Sequence, residues 1–193
     1  MQALRQRLRT ALGLQPGDMR RVAPVAAAYA LTLTIIYILK PARNALFLDN
    51  LGVERLPYVL LLVALVGGVA ALGYGRIAAR VRTDLLVPRT LAALGVFLLA
   101  FRWVISVDKG GALFAFFVFV QIFGLISTSL VWLWANSAFE PREARRLFGL
   151  IGTGGILGSI VGGLLTGEIA SRVGTPNLLI VAAVGMLGVL ACL

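Results

Sequence analysis

Two cationic side chains at the end of the first apolar stretch are the strongest candidates for chemistry. Lys40 and Arg43 lie three positions apart, with Pro41 between them. If a helix continues past Pro41, one of its faces carries four residues, namely Lys40, Arg43, Asn44 and Phe47. An ammonium group binds phosphate as a point charge, and a guanidinium group binds it as a two-pronged fork. We therefore expect this cluster, with Asn44, to bind an anionic solute.

Two other interpretations of the same cations remain open. The long stems of Lys40 and Arg43 can snorkel toward a lipid interface, and Asp49 and Glu54 are close enough in sequence to form ion pairs. The two cations belong to the side of the predicted bundle where basic residues are scarce. A purely topological role therefore explains them less well than anion binding does.

Pro41 also predicts a feature of the helix itself. Proline donates no backbone N–H and crowds the carbonyl group four positions earlier, here that of Tyr37, so we expect a bend at this point. Bent or broken helices are tolerated at membrane depth where they line a cavity. The bend would therefore place the two cations beside such a cavity.

Four more polar residues in later apolar stretches are candidate site residues. Gln121 and Asn136 carry amides that contact a solute or, more commonly, hydrogen-bond a neighbouring helix. Arg102 and Glu168 carry opposite charges, and an ionisable group inside a membrane is a functional candidate by default. They form either a coupled pair or anchors at the membrane interface, since both stand near the ends of predicted helices.

The chain lacks the residues that several kinds of chemistry need. It has no His and a single Cys, Cys192, so we expect no disulfide, no metal site and no His-based catalysis. It also has no Gly-x-Ser-x-Gly turn and no Walker loop. We therefore expect neither an enzyme nor a bound cofactor.

The composition indicates that the chain lies in a lipid bilayer. Hydrophobic residues make up 60% of the chain and charged residues 13%, against about 25% charged residues in a typical soluble domain. The mean hydropathy is +0.95. The predicted fold class is therefore an all-α, polytopic membrane bundle.

The apolar stretches divide into six predicted membrane helices. They are Val22–Leu39, Leu56–Ile77, Pro88–Val107, Ala112–Trp134, Leu147–Ala170 and Asn177–Leu193. Most have roughly the 20 residues that are needed to cross a ~30 Å hydrocarbon core. The last is short, at ~25 Å, and has no polar flank, so we expect the natural chain to continue beyond it.

The chain repeats itself once, at a spacing of 92 residues. Seven residues recur: Gly75, Ile77, Ala78, Arg80, Val81, Thr83 and Leu86 correspond to Gly167, Ile169, Ala170, Arg172, Val173, Thr175 and Leu178. Asn44 likewise falls on Asn136. Three predicted helices per copy invert the second copy in the bilayer, as is typical of secondary transporters. We assign residues 22–107 to the first repeat and residues 112–193 to the second.

Basic residues in the links between helices predict the orientation. One side of the predicted bundle carries twelve Lys and Arg residues and the other carries six. The positive-inside rule places the richer side, with the N-terminus, in the cytoplasm, and we expect the bundle to lie in a cell (inner) membrane. The net charge of +10 is then mainly a topological signal, and we expect no nucleic-acid partner.

The N-terminal segment, residues 1–21, is predicted to be a cytoplasmic amphipathic helix that lies on the membrane. Leu4, Leu8, Ala11 and Leu12 recur at helical spacing among Arg residues. A cleaved signal peptide and an organelle transit peptide are the alternatives. The apolar run that follows is longer than the about 7–15 residues of a signal peptide, which favours a membrane helix.

Glycines crowd the fifth predicted helix. Gly154, Gly158 and Gly162 recur every four residues, and this spacing lets two helix backbones approach closely. We expect a helix-packing face here, along which the helices of a transporter could also slide or rock.

Three segments of the chain carry a resemblance to known proteins. Residues 40–52 and residues 134–155 resemble the ATP/ADP translocase family of bacteria and plastids, a branch of the major facilitator superfamily. The segment that contains Arg76, Arg80 and Arg82 is similar to a cytoplasmic loop shared across that superfamily. Together these segments indicate a transporter of this type.

The resemblance implies the N-terminal, six-helix half of a twelve-helix rocker-switch transporter that exchanges nucleotides. Lys40 matches a position at which the family carries a cation important for transport, with Arg43 close by. Asn44 stands where many members carry an acid. The resemblance also implies a missing C-terminal half, or a second copy of the chain, that would complete the cavity.

The expected function is therefore exchange of an anionic solute across the membrane, with nucleotides of the ATP/ADP type as the leading candidate. One alternative is a transporter of the same fold for another solute. The other is a membrane anchor or sensor that transports nothing.

Overall fold

The described part of the chain is built from helices. The computed structural model describes residues 17–107 and 110–193. Its six α-helices are α1 (Asp18–Leu51), α2 (Leu56–Ala78), α3 (Thr83–Val107), α4 (Gly111–Ala138), α5 (Pro141–Val173) and α6 (Leu178–Ala191). Short 3-10 turns at Val53–Arg55 and Thr175–Asn177 precede α2 and α6. No strand occurs in these ranges, which confirms the predicted all-α class.

Five of these helices, α1 to α5, are long and apolar enough to cross a membrane. The protein therefore has the character of a multi-pass membrane protein. α6 has 14 residues and is only ~21 Å long, less than the ~30 Å hydrocarbon core. Of the predicted amphipathic segment, residues 1–16 lie outside the described residues, and Asp18–Arg21 form the first turn of α1.

α1 continues well beyond its predicted end at Leu39. It passes through Pro41 and ends at Leu51, where Gly52 adopts a φ of 78° and its N–H donates to the Leu48 carbonyl at 3.1 Å. Pro41 leaves the Tyr37 carbonyl without its usual donor. The Thr166 hydroxyl of α5 lies 3.2 Å from that oxygen and shares its hydrogen with the Gly162 carbonyl. Contact with α5 thus helps the helix to tolerate its proline.

Small residues bring the backbones of α1 and α5 together over their length. Three glycines of α5 lie against three small residues of α1, in the pairs Gly154 with Ala26, Gly158 with Ala30 and Gly162 with Thr34. A Cβ on Gly158 would overlap the Ala30 carbonyl oxygen, and one on Gly162 would lie 2.6 Å from the Thr34 oxygen. The constant spacing of the pairs shows that the two helices run parallel. The predicted glycine spacing therefore marks this helix contact.

Ion pairs fasten the starts of the same two helices. Arg146 Nη2 lies 2.8 Å from Asp18 Oδ2, and Arg21 Nη1 lies 2.9 Å from Glu143 Oε1. Glu143 also forms a capping box with Glu140 at the first turn of α5, which satisfies backbone N–H groups that have no helical partner. The link between α4 and α5 is only two residues long, and the capping box gives it a defined structure.

α1 is the central helix of the bundle. It packs against α4, α5 and α6, and most extensively against α5; α4 also packs against α2 and α3, and α3 against α6. The largest buried cluster joins α1, α3, α4 and α6 and includes Leu39, Leu91, Phe123 and Leu179. α2 has a single buried residue, Val59. The core therefore surrounds α1, and α2 lies at the periphery.

Gly158→Ala is expected to destabilise the bundle. The added methyl group overlaps the Ala30 backbone, and overpacking of this kind costs about 1–3 kcal/mol. Gly163→Ala is the matched control, because a Cβ at Gly163 on the same helix meets no atom within 4 Å. Thermal unfolding in detergent, followed by tryptophan fluorescence, compares the two variants. Equal melting temperatures would contradict the close packing of α1 on α5.

Candidate functional site

A cleft of ≈ 430 Å³ opens between α1, α4 and α5. Most of its wall is apolar. Six of its side chains carry polar groups, and these are Tyr29, Tyr37, Lys40, Gln121, Thr128 and Ser159. Two of the predicted site residues, Lys40 and Gln121, therefore meet in one cavity.

Helical periodicity explains why these residues share a wall. On α1 the lining residues are Tyr29, Leu33, Ile36, Tyr37 and Lys40, whose spacing places them on one face. That face spans ~16 Å along the helix axis at ~1.5 Å per residue. The cleft is thus elongated, with the Lys40 ammonium group toward one end and the Tyr29 ring toward the other.

Lys40 is exposed to the cleft and has no acidic partner among the described residues. Its Nζ atom lies 5.6 Å from the centre of the Tyr37 ring, within range of a cation–π contact. Asp49 and Glu54, the partners that an ion-pair role would use, form no ion pair with it. The structure therefore leaves this charge available to a solute.

The spacing of residues along α1 gives an estimate of the depth of Lys40 in a bilayer. Arg21 and Asp49 bracket the apolar part of the helix and lie ~42 Å apart along its axis, close to the full thickness of a bilayer with its headgroups. Lys40 is ~13 Å from Asp49 and ~28 Å from Arg21 on the same scale. A helix near the membrane normal thus carries Lys40 inside the ~30 Å apolar core.

Arg43 lies beside the cleft rather than in its wall. Its Nη1 donates to Gln121 Oε1 at 3.3 Å, and its Nε donates to Asn44 Oδ1 at 3.2 Å. The guanidinium carbon stacks 3.9 Å above the centre of the Phe117 ring. Arg43 and Asn44 are therefore engaged with protein groups, and only Lys40 of the predicted α1 cluster lines the cleft.

Asn136 does not line this cavity. Its Nδ2 donates to the Trp132 carbonyl of its own helix at 2.8 Å. It lies eight residues beyond Thr128, the last lining residue of α4, or ~12 Å along the helix. The structure therefore does not bring Asn136 together with the other predicted site residues.

Arg102 and Glu168 do not meet either. Arg102 Nε donates to Asn177 Oδ1 at 2.9 Å, which ties the end of α3 to the turn before α6. Glu168 pairs with Arg172 one turn along α5, where Arg172 Nε donates to its Oε1 at 2.8 Å. The coupled pair is thus not formed, and each charge has another partner.

The basic residues Arg76, Arg80 and Arg82 lie at the end of α2 and in the following turn, where Arg82 pairs with Asp84.

Sequence reasoning missed the aromatic part of the cleft. Tyr29 packs edge-on against Trp132 of α4 at 5.3 Å between ring centres, and its ring lies against Gly155. Tyr29, Tyr37 and Lys40 recur at helical spacing, so the sequence did contain a signal for a shared face. Ser159 carried no such signal, because a lone serine in an apolar helix usually bonds its own backbone, as it also does here with Ile156.

Other cavities offer less chemistry. A cavity of ≈ 230 Å³ between α3 and α6 and one of ≈ 280 Å³ between α2 and α4 have no charged side chain in their walls. Among residues 17–107 and 110–193, no group of three or more His, Cys, Asp or Glu side chains could hold a metal ion. The Lys40 cleft is therefore the best candidate site.

Comparison with known proteins returned no match: no family model, no characterised protein and no solved structure resembles the chain significantly.

Lys40→Cys, in a Cys192→Ser background, is expected to react with a water-soluble thiol reagent. A cleft that admits a polar solute also admits the reagent, and thiol reactivity depends on such access. The neighbouring Leu39→Cys is the matched control, because Leu39 is fully buried. Mass spectrometry of the protein in liposomes should show labelling at least about tenfold faster at position 40. Equally slow labelling at both positions would contradict a water-filled cleft.

Proposed function

We propose that this protein is a membrane transporter that exchanges an anionic solute, with nucleotides of the ATP/ADP type as the leading candidate, by alternating access. The observation that carries this proposal is Lys40. It places a positive charge in a cleft between three apolar helices, α1, α4 and α5, without an acidic partner among the described residues. A charge in this environment is costly, and a bound anion compensates that cost.

The size and surface of the cleft support a small organic anion. Its volume of ≈ 430 Å³ falls within the usual range of about 300–1,000 Å³ for small-molecule sites. The rings of Tyr29 and Tyr37 offer surfaces on which a planar group can stack, and Lys40 offers the charge for a phosphate. The preference for nucleotides rests on the resemblance of residues 40–52 and 134–155 to ATP/ADP translocases.

The pattern of helix contacts supports two inverted three-helix repeats. The sequence repeat pairs α1 with α4, α2 with α5 and α3 with α6. If the two repeats are equivalent, replacing each helix by its counterpart should reproduce the same set of helix contacts. The contact of α1 with α5 then corresponds to that of α4 with α2, and the contact of α1 with α6 corresponds to that of α4 with α3. All four contacts occur. This agreement favours the repeat architecture of secondary transporters.

A second six-helix unit would complete the transporter. α2 carries large exposed apolar side chains, and a Cβ on Gly67, Gly68, Gly73 or Gly75 would meet no atom within 4 Å. Its surface is therefore free for the other half of a longer chain or for a second copy. The excess of basic residues on one side supports an N-terminus in the cytoplasm, with the bundle in the inner membrane.

Counterflow in liposomes tests the proposal. Full-length protein in liposomes loaded with ADP should take up labelled external ATP. Lys40→Ala should lower the exchange rate at least about tenfold, because it removes the charge that binds the anion. Arg55→Ala is the control, since Arg55 is an exposed cation outside the cleft.

The outcomes separate the candidate functions. Exchange that is normal in Lys40→Ala would overturn the role of the cleft. Uptake that other organic anions inhibit, and nucleotides do not, would move the assignment to a transporter of another solute. A folded protein that exchanges no anion would favour the anchor or sensor alternative.

A further inference from the structure

The orientation of the Gln121 amide follows from its contact with Arg43. A guanidinium group has only donors, whereas a glutamine amide has one acceptor end and one donor end. Arg43 Nη1 lies 3.3 Å from the end of the Gln121 side chain. The end that faces Arg43 must therefore be the oxygen, which removes the usual ambiguity between the two ends of an amide.

This contact determines which end of the Gln121 amide is available to the cleft. Gln121 lines the cavity, and its oxygen accepts a hydrogen bond from Arg43, so its NH₂ group is the end turned away from Arg43. No hydrogen bond among the described residues uses that group. Lys40, in the same lining, carries only donors. Lys40 and the Gln121 NH₂ group therefore both present donors to the cleft, and the Tyr37 hydroxyl in the same lining can donate as well as accept.

Arg43 is itself held firmly enough to impose this orientation. Its guanidinium group stacks on the face of Phe117 at 3.9 Å, and its Nε donates to Asn44 Oδ1. Phe117 is buried and packs edge-on against the buried Phe47 at 5.0 Å between ring centres. Lysine cannot reproduce a planar stack together with two directed bonds. The aromatic pair thus forms a rigid base for Arg43.

We propose that Arg43 is a positioning residue, which turns the Gln121 amide so that its NH₂ group joins Lys40 in a donor edge that selects anions. The inference rests on the proposed function, since it concerns the same cleft. It assigns Arg43 a role through Gln121 instead of direct contact with the solute. Gln121 then becomes a specificity-determining residue of the site.

A double-mutant cycle tests this role. Equilibrium binding of labelled ATP to the full-length protein is measured for Arg43→Lys, Gln121→Leu and the double variant. Each single variant should bind about tenfold or more weakly, as expected for loss of a hydrogen bond to a charged group. The double variant should bind no more weakly than Gln121→Leu alone, because Arg43 acts through Gln121. Additive losses would overturn the inference and indicate direct contact of Arg43 with the anion.

Selectivity supplies a readout that a merely structural role would not change. Arg43→Lys should weaken ATP binding. The affinity for neutral adenosine, measured by competition, should stay within about twofold of that of the unsubstituted protein, because only the anion uses the donor edge. An equal loss for both probes would overturn the inference in favour of general disruption of the cleft.

A second variant avoids dependence on the folding of Arg43→Lys. Gln121→Glu keeps the shape of the side chain and an acceptor for Arg43, but its carboxylate has no NH₂ group and adds a negative charge. It should lose ATP binding at least as strongly as Gln121→Leu. Unchanged ATP binding by Gln121→Glu would overturn the inference.

The same experiments distinguish the two proposals. If the unsubstituted protein binds no ATP, ADP or pyrophosphate, the proposed function and this inference both fail. If Lys40→Ala abolishes binding but the Arg43 and Gln121 effects are additive, only the inference fails. Coupled effects together with loss of binding in Lys40→Ala support both.

Discussion

The close backbone contact between α1 and α5 is the constraint on which the rest of the structure depends. Gly154, Gly158 and Gly162 present no side chain to α1, so the two backbones approach closely at these three points and the position of α1 against α5 is determined there. Without a hydrophobic driving force between helices in lipid, such van der Waals contact is a main source of helix association. α1 in turn carries Tyr29, Tyr37 and Lys40, so the shape of the cleft follows from this packing.

Electrostatics divides the cations of the bundle into two groups. At the start of α1 and α5, Arg21 and Arg146 pair with carboxylates, and these contacts hold the two helices together. Lys40 has no such partner among the described residues, and Arg43 contacts an aromatic face and two amide oxygens but no carboxylate among them. Lys40 and Arg43 thus both lack an acidic partner among the described residues, and Lys40 lines the cavity. That contrast with the paired cations is the physical basis of the proposed anion site.

Local signals predicted the elements better than they predicted the site. Hydropathy located six helices, but α1 was predicted to end at Leu39, because Lys40 and Pro41 interrupt the apolar pattern; backbone hydrogen bonding continues the helix regardless of polarity. Asn136 was paired with Asn44 through the sequence repeat. α1 and α4 run in opposite directions, as the contacts of Arg43 with Gln121 and of Tyr29 with Trp132 show, so the two asparagines lie toward opposite ends of the bundle.

The sequence by itself indicated a multi-pass membrane protein, the helical class, the glycine face of α5 and a pair of cations at the end of the first apolar stretch, because each depends on composition or on spacing along one helix. It did not determine which small residues of α1 pack against the glycines of α5. Nor did it determine that Gln121, and not Asn136, lines the same cavity as Lys40. Those relations depend on how helices far apart in the chain are rotated and shifted against each other. Only tertiary packing decides that geometry, since many pairs of apolar helix faces are compatible with the same hydropathy pattern.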